Sequence, residues 1–334
     1  MGERYRSYGA FLKETYGQKV YRVGVDGLFG CPNRRSDGSG GCTYCDGTGS
    51  KAAYQRQEES SFNHLSIFND QVSQDVLWHN SSIEERCSSI ARQIEKGSEF
   101  VHRRYHANLL SLYFQAWTNT FGTVETLRKL YDSALSCGSF TELIVSTRPD
   151  CIDHEKAELL ASYQGKVQKV WVELGLQSAD DRTLASINRG HDSHCYLQAA
   201  KLLHEEGVLV CTHVILGLPG ESYEQFSHTA ALLNEAGSEA VKIHNLDICG
   251  GTALLDDFLQ GEMGVPSMKR HIEACIFFLR RLREDMVIQR FLCETPLHRL
   301  AAPRDFGDKN NFLLSLEGEM QRRNVFQGDL YGQD

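Results

Sequence analysis

The chain alternates short apolar runs with longer amphipathic segments from Tyr21 onward. The apolar runs are rich in Val, Ile and Leu, which is typical of buried strands. The predicted strands are 23–25, 109–114, 143–146, 170–174, 208–215 and 240–246. Between them apolar residues recur every three to four positions, as at Ile83, Cys87, Ile90 and Ile94, which predicts helices with one face packed on a sheet. This alternation of strand and helix predicts βα units around a parallel sheet.

Helix-start signals agree with this pattern. A serine followed three residues later by an acidic residue or glutamine forms a capping box, in which each side chain accepts from the other's backbone. Three pairs have this spacing ahead of helical runs: Ser82 and Glu85, Ser178 and Asp181, Ser222 and Gln225. The units predict one wound or partly closed barrel over residues 21–250, with an N-terminal extension (1–20) and a C-terminal helical and β extension (251–334) packed on it.

Composition narrows the class of protein. The chain has 334 residues, of which 41% are hydrophobic, and it contains no apolar run long enough to span a membrane. Its 11 cysteines are spread along the chain, so reduced thiols are favoured over a disulfide framework. We therefore expect a soluble, cytoplasmic protein. The net charge of -9 argues against a non-specific nucleic-acid coat, because such binding depends on Lys and Arg neutralising phosphates.

A loop of three cysteines follows the first predicted strand. Cys31, Cys42 and Cys45 have the spacing C-x10-C-x2-C, and the glycines between them allow the sulfurs to converge on one centre. Thiolates select iron-sulfur clusters, zinc or Cu(I). Three cysteines suit a four-iron cluster with one open iron, whereas structural zinc normally takes four protein ligands. A Cys3His zinc site with His64 or His79 as the fourth ligand remains the alternative from the residues alone.

Polar residues follow the predicted strands. In a parallel barrel the loops after the carboxyl ends of the strands build the active site. The residues at these positions are Gln115, Thr118 to Thr120, Thr147, Arg148, Glu173, Gln177, Gly217 to Glu221, His244 and Asn245. Their placement around the cysteine loop predicts an active site at that end of the barrel.

Seven motifs, in order, resemble the radical S-adenosylmethionine (SAM) superfamily, most closely its YhcC/YtqA-like group. They are 31–45 (CPNRRSDGSGGCTYC), 113–120 (YFQAWTNT), 146–151 (STRPDC), 171–178 (WVELGLQS), 187–191 (INRGH), 211–221 (CTHVILGLPGE) and 241–244 (VKIH). The usual superfamily spacing is C-x3-C-x2-C. The longer spacing here is similar to that of the elongator-type tRNA-modifying branch.

The resemblance implies an α/β fold, the partial (β/α)6 TIM-like barrel of radical SAM enzymes. It further implies a [4Fe-4S] cluster on Cys31, Cys42 and Cys45, whose open iron binds the amino and carboxylate groups of SAM. Reductive cleavage of SAM would give a 5′-deoxyadenosyl radical. The expected partner is a reducing electron donor such as flavodoxin or ferredoxin.

The resemblance also implies roles for individual cofactor-binding residues. Tyr44 would contact the adenine, Gln177 the ribose and Arg189 the carboxylate, while Ser146 and His213 stand where related enzymes place acidic ribose ligands. The turn Gly217 to Gly220 is tight enough for its main chain to approach the adenine edge. Glu173 is expected either to bind a ribose hydroxyl or to pair with a buried Arg148.

The substrate side is less specified by the sequence. The residues expected to face a substrate are Gln115, Asn119, Arg148, Lys242, His244 and Lys309. Arg148 or Lys242 would suit an anion, and Cys249 and Cys151 are candidate hydrogen-atom donors, although a buried free cysteine is commonly a small apolar residue. The resemblance favours a modified wobble uridine of tRNA, which would need a local basic rim. A small anionic metabolite and a non-catalytic zinc module are the alternatives, and the oligomeric state is left open.

Overall fold

The computed structural model describes residues 3–35, 39–48, 81–304 and 306–333. His64 and His79 of the zinc alternative lie outside the described residues. The elements in chain order are α1 Tyr8–Tyr16, β1 Val20–Val25, α2 Ile83–Tyr105, β2 Leu109–Phe114, α3 Val124–Ser136, β3 Glu142–Thr147, a 3₁₀ turn Pro149–Cys151, α4 His154–Ala161, β4 Lys169–Gln177, α5 Asp181–Ser186, α6 Ser193–Glu205, β5 Leu209–Leu216, α7 Tyr223–Glu235, β6 Ala240–Asn245, β7 Ile248–Cys249, α8 Ala253–Leu259, α9 Met268–Leu279, β8 Val287–Arg290, β9 Leu300–Ala302 and α10 Lys309–Arg323.

Seven parallel strands form the central sheet, in the order β1-β2-β3-β4-β5-β6-β8. The expected α/β fold with a partial parallel barrel is confirmed. The sequence pattern predicts six of the seven strands and misses β8. The reason is local: β8 has four residues, of which Val287 and Ile288 are the apolar ones, and the charged run Arg283-Glu284-Asp285 lies just before it.

The helices cover the sheet with the apolar stripe that the spacing predicts. Ile90 and Ile94 of α2 and Leu127 and Leu130 of α3 are all buried in the main hydrophobic core. Side chains alternate along each strand, so those that do not face the helices line the other side of the sheet. Among the helices described, none combines the length and apolarity needed to cross a membrane.

Two of the three predicted capping boxes are present. Ser82 and Ser222 accept from backbone at the starts of α2 and α7, and Glu85 and Gln225 complete the two boxes. The box at Ser178 is wrong. Asp180 caps α5 instead, since its carboxylate accepts from the Thr183 backbone, and the Ser178 hydroxyl donates to Glu221 across 2.7 Å.

The chain after β8 returns over the carboxyl ends of the strands. There β9 pairs antiparallel with β7, and α10 packs beside α9. The division of the chain at residues 20 and 250 stays a prediction. The last strand of the central sheet, β8, lies within the predicted C-terminal extension, so the sheet continues beyond residue 250. This return places residues 293–299 beside the cysteine loop.

Candidate active site

A cavity of about 730 Å³ extends from the amino end of β1, at Val20 and Tyr21, to the carboxyl ends of the strands, and the cysteine loop forms part of its wall. Each strand of the central sheet contributes to the lining, directly or through the residues that follow it. Lining residues come from β1 (Arg22), β2 (Tyr113), β3 (Ser146 and Thr147), β4 (Gly175 and Gln177), β5 (His213), β6 (Lys242 and His244) and β8 (Gln289 and Arg290). The parallel sheet therefore gathers side chains that are distant in sequence into one site, as expected for this fold.

All three cysteines of the loop line this cavity. The loop is folded by its own backbone: the N–H of Arg34 donates to the carbonyl of Cys31 across 3.0 Å, and that of Cys45 to Cys42 across 3.0 Å. Thr43 N–H donates to the carbonyl of Ile187 across 2.9 Å, which fixes the loop to the residues after α5. No cysteine of the chain forms a disulfide.

The described part of the chain holds one compact trio of metal-ligating side chains, whose ligand atoms lie within 4.8 Å of one another: His154, Glu158 and Glu206 at the surface. The three cysteines are not part of this trio. In a four-iron cluster each cysteine sulfur binds a different iron, so three cysteines leave the fourth iron open.

Arg189 joins the cysteine loop to β4. Its Nη1 donates to the sulfur of Cys42 across 3.5 Å and its Nη2 to the carbonyl of Gly175 across 2.5 Å. Burial disfavours a thiolate, but the neighbouring Arg189 guanidinium outweighs it and lowers the pKa of Cys42. A thiolate is the form that binds iron. The Nε of Arg189 is buried and has no hydrogen-bond partner among the described residues, which leaves one donor of the fork for a ligand.

Gly175 makes room for two of the predicted cofactor residues. A Cβ at this position would lie 2.6 Å from Nη2 of Arg189 and 2.9 Å from Nε2 of Gln177. The ladder between β4 and β5 is irregular here, and Gln177 adopts a φ of 79°, which is uncommon for a residue other than glycine. This bulge turns Gln177 into the cavity, as bulges beside active sites often do.

Arg148 lines the cavity but does not pair with Glu173. Its Nε and Nη2 donate to the two carboxylate oxygens of Asp150 across 2.8 and 2.9 Å, and Nη2 also donates to the carbonyl of Arg189 across 2.7 Å. The expected Arg148–Glu173 pair is therefore wrong. Nη1 of Arg148 is buried without a partner in the described residues, so it too is left for a ligand.

Glu173 lies instead at the centre of a closed charge network below the cavity. It is fully buried and accepts from Arg22 across 3.0 Å, Lys242 across 2.5 Å, Tyr113 across 2.5 Å and His213 across 3.0 Å. Burial alone would raise its pKa, but Lys242 and Arg22 hold the pKa of Glu173 well below its ordinary value. With its oxygens taken by this network, Glu173 is not positioned as a ribose ligand.

The pKa values of two basic residues in this network are lowered. Burial lowers the pKa of Lys242 to about 7, with Arg22 acting in the same direction. Burial likewise lowers the pKa of His213 to about 4, so this imidazole is neutral at physiological pH. The cavity wall therefore presents neutral and cationic donors rather than acids at this end.

The structure brings most of the predicted site residues together and separates the others. Those that line the cavity are Cys31, Cys42, Tyr44, Cys45, Gln115, Ser146, Arg148, Gln177, Arg189, His213, Lys242, His244 and Lys309. Gly217 and Gly220 line a second cavity of about 530 Å³, where a Cβ on Gly217 would lie 2.5 Å from Pro266. Asn119 is fully buried, and its amide donates to the backbone carbonyls of Phe114 and Ser146. Asn119 therefore has a structural role, and the glycine turn lies outside the lining of the cavity that holds the cysteines.

Cys151 and Cys249 do not lie among the residues that line the cavity. Both are buried, and burial raises the pKa of each thiol to about 12. Cys293, which the sequence pattern does not single out, does line the cavity, and its sulfur lies 2.8 Å from Nδ1 of His244. The placement of Cys293 follows from β8, the strand that the sequence pattern misses.

The return segment after β8 is tied to the cysteine loop by an ion pair. The Nε of Arg299 donates to the carboxylate of Asp46 across 2.7 Å, and Nη2 makes a second contact with the same oxygen. Asp46 directly follows Cys45 and is buried. Arg299 and residues 293–296 also line the cavity, so this segment forms one wall of the site.

A model of the radical SAM superfamily matches residues 29–233, and a model of a radical SAM C-terminal domain matches residues 238–322. The first match begins just after β1 and contains the cysteine loop. The second match contains β8 and the return segment.

Similar proteins span nearly the whole chain. Protein YhcC of Escherichia coli (strain K12) is 33% identical over 299 residues, which are 89% of this chain and 85% of that protein. Uncharacterized protein YtqA of Bacillus subtilis (strain 168) is 29% identical over 332 residues, 98% of this chain and 93% of that protein. These matches agree with the expected YhcC/YtqA-like group.

A solved structure supports the fold. The archaeal Elp3 of Methanocaldococcus infernus, with an N-terminal deletion, superposes with a TM-score of 0.63 at 18% identity. The superposition covers 74% of this chain and 62% of that chain. At this identity the likeness concerns the fold of the barrel.

Proposed function

This chain belongs to the radical SAM superfamily, and we propose that it cleaves S-adenosylmethionine reductively to a 5′-deoxyadenosyl radical that takes a hydrogen atom from a substrate in the cavity. Membership makes the chain an enzyme that uses a [4Fe-4S] cluster and SAM. Enzymes of this superfamily need a reductant, for which we propose a flavodoxin or ferredoxin. The cofactors supply the radical, and the protein supplies binding, orientation and exclusion of water.

The observation that best supports this proposal is the arrangement of three cysteines and Arg189 around one cavity. All three cysteines line this cavity, and Arg189 adds a buried positive charge beside Cys42. This donor set fits a cluster with three cysteine ligands and one open iron. We assign Cys31, Cys42 and Cys45 as its ligands.

We propose that the SAM cofactor lies between Arg189, Gln177 and Tyr44. The unpartnered Nε of Arg189 suits a carboxylate, which a guanidinium binds with short charge-assisted hydrogen bonds. The bulge at Gln177 presents its amide to the cavity, where it would serve a ribose hydroxyl. Gln115 and Arg148 complete the polar wall on this side.

For the substrate we propose a modified wobble uridine of tRNA. The support is the C-x10-C-x2-C spacing, which resembles that of the elongator-type tRNA-modifying branch. With a net charge of -9, binding of tRNA would depend on a local basic rim rather than on bulk attraction. Lys309 at the cavity wall is a residue of this kind.

A small anionic metabolite is the second candidate substrate. Lys242 and Arg290 line the inner part of the cavity, and Nε of Arg290 is buried without a partner in the described structure. Such donors suit a carboxylate or phosphate. The support for tRNA comes from the spacing of the cysteines, whereas the support for a small anion comes from the side chains that line the cavity.

Anaerobic reconstitution with iron and sulfide tests the proposed reaction. The wild type is expected to bind about four irons and four sulfides and, with SAM and dithionite, to form 5′-deoxyadenosine. A Cys42→Ala, Cys45→Ala double variant should form none. The matched control is Cys137→Ala, which removes an exposed thiol outside the lining of the cavity and should retain the cluster. A colourless protein with stable zinc would contradict the proposal.

Nucleosides from cells lacking the gene separate the two substrate classes. A missing or precursor nucleoside at the wobble position, restored by the wild-type gene but not by the Cys42→Ala, Cys45→Ala variant, would support tRNA. An unchanged nucleoside profile together with an accumulated acidic metabolite would favour the second candidate.

A further inference from the structure

A thiol and an imidazole meet in the wall of the cavity, away from the cysteine loop in sequence. The sulfur of Cys293 lies 2.8 Å from Nδ1 of His244, and both residues line the cavity that holds Cys31, Cys42 and Cys45. Cys293 lies three residues after the end of β8, and His244 lies near the carboxyl end of β6. The pair is therefore built from two strands at the same end of the barrel.

The position of Cys293 is fixed by its neighbours. Its backbone N–H donates to Oδ1 of Asn245 across 2.8 Å, and the Asn245 amide donates to Asp247 across 2.5 Å. Nη2 of Arg290 also lies 3.1 Å from Nδ1 and 3.0 Å from Nε2 of His244. A thiol held in this way cannot turn away from the cavity without breaking contacts.

The pair is arranged as a thiol beside a neutral imidazole. Burial raises the pKa of the Cys293 thiol to about 12, so the sulfur keeps its hydrogen at physiological pH. Burial together with Arg290 lowers the pKa of His244 well below its ordinary value, so the ring is unprotonated. Both groups are therefore neutral: the sulfur keeps its hydrogen, and no proton is lost to form a thiolate and an imidazolium.

We propose that Cys293 donates a hydrogen atom to a carbon-centred radical in this cavity. This inference rests on the proposed function, because that reaction generates the radical. An S–H bond is weaker than an aliphatic C–H bond, so transfer from the thiol to carbon is downhill. Cys151 and Cys249 are also protonated thiols, but they do not line the cavity.

The step balances with the reductant that the proposed function already requires. The carbon radical gains the hydrogen atom of Cys293 and becomes a C–H bond, while the sulfur becomes a thiyl radical. One electron from the low-potential donor and one proton from water then restore the thiol. Each cycle thus consumes one electron for SAM cleavage and one for Cys293.

Turnover without substrate in D₂O tests this inference on the full reconstituted protein. The Cys293 thiol exchanges to S–D, and in the absence of substrate the 5′-deoxyadenosyl radical is itself the carbon radical. Wild-type protein with SAM and dithionite is therefore expected to form 5′-deoxyadenosine with deuterium at C5′, measured by mass spectrometry. In Cys293→Ser, which retains the size of the side chain, the deuterated fraction should fall about tenfold, because the donor is no longer in reach.

The readout is a fraction of the product, so partial loss of cluster in a variant does not change it. Cys137→Ala, at the exposed end of α3, should match the wild type. A wild type that forms no 5′-deoxyadenosine would overturn the proposed function. Product whose deuterated fraction is unchanged in Cys293→Ser and Cys293→Ala, or falls in Cys249→Ala instead, would overturn the assignment of Cys293 alone.

Discussion

The guanidinium of Arg189 donates to the sulfur of Cys42 across 3.5 Å, so one side chain touches both the cysteine loop and, through Gly175, the bulged end of β4. This contact links the ligands of the proposed cluster to the residues proposed to bind SAM. The fork is buried and its Nε is left without a partner in the described structure. Arg189 is therefore placed to bind the carboxylate of SAM while holding Cys42.

Arg189→Lys should weaken the binding of SAM about tenfold, because an ammonium cannot bind a carboxylate with the fixed geometry of the guanidinium fork. Equilibrium dialysis of SAM against the reconstituted protein measures this change. Arg182→Lys is the matched control, since the Arg182 side chain lies nearby on α5 and is 90% exposed. Equal dissociation constants for the two variants would contradict the role of Arg189.

The sequence predicts the parts of the site that depend on local pattern. The cysteine loop follows β1, and Gln115, Arg148 and Gln177 follow their strands, because a parallel sheet brings all carboxyl ends to one edge. Spacing along the chain is enough for this step. It requires no knowledge of which side chains touch.

The remaining parts depend on contacts between distant strands. Glu173 binds Arg22 from β1 and Lys242 from β6, and no local pattern identifies such partners. Cys293 is missed because β8 is too short and too polar to be predicted. The expectation that Glu173 pairs with Arg148 fails for a different reason: Asp150 lies two residues from Arg148 and pairs with it locally.

Glu173→Gln should destabilise the protein by about 3–5 kcal/mol, because the change leaves Arg22 and Lys242 buried without their counter-charge. The midpoint of urea unfolding, measured on cluster-free protein, gives the effect. Glu125→Gln is the control, since Glu125 pairs with Lys129 on the exposed face of α3 and should change the midpoint little. If both variants unfold at the wild-type midpoint, the network does not contribute to stability as its burial indicates.

Arg299→Ala should speed the loss of iron to a chelator about tenfold, the factor that matches a lost hydrogen bond between charged groups. The reason is that Arg299 ties the return segment to Asp46, the residue after Cys45. Release is followed by absorbance of the iron-chelator complex under anaerobic conditions. Arg322→Ala removes an exposed arginine of α10 and should leave the rate unchanged. A wild-type rate in Arg299→Ala would show that the cysteine loop holds its shape without this ion pair.

Glu221 gives the protein a stability that depends on pH. Its carboxylate accepts from the Ser178 hydroxyl across 2.7 Å and from the Leu218 backbone across 3.2 Å, yet burial dominates and raises the pKa of Glu221 from 4.5 to about 7. Between these two values the folded protein keeps a proton that the unfolded chain has released. Raising the pH through this window therefore lowers the free energy of unfolding, by at most about 1.4 kcal/mol per pH unit for one proton.

Glu221→Gln removes this titration, so the free energy of unfolding of the wild type minus that of the variant should fall as the pH rises from 4.5 to about 7 and level off above it. Urea unfolding of cluster-free protein across this range measures the difference. Glu224→Gln, an exposed change on α7, should give a difference that does not follow this course. A flat difference for Glu221→Gln would mean that Glu221 is ionised in the folded protein throughout the window, because its hydrogen bonds and solvent then outweigh its burial.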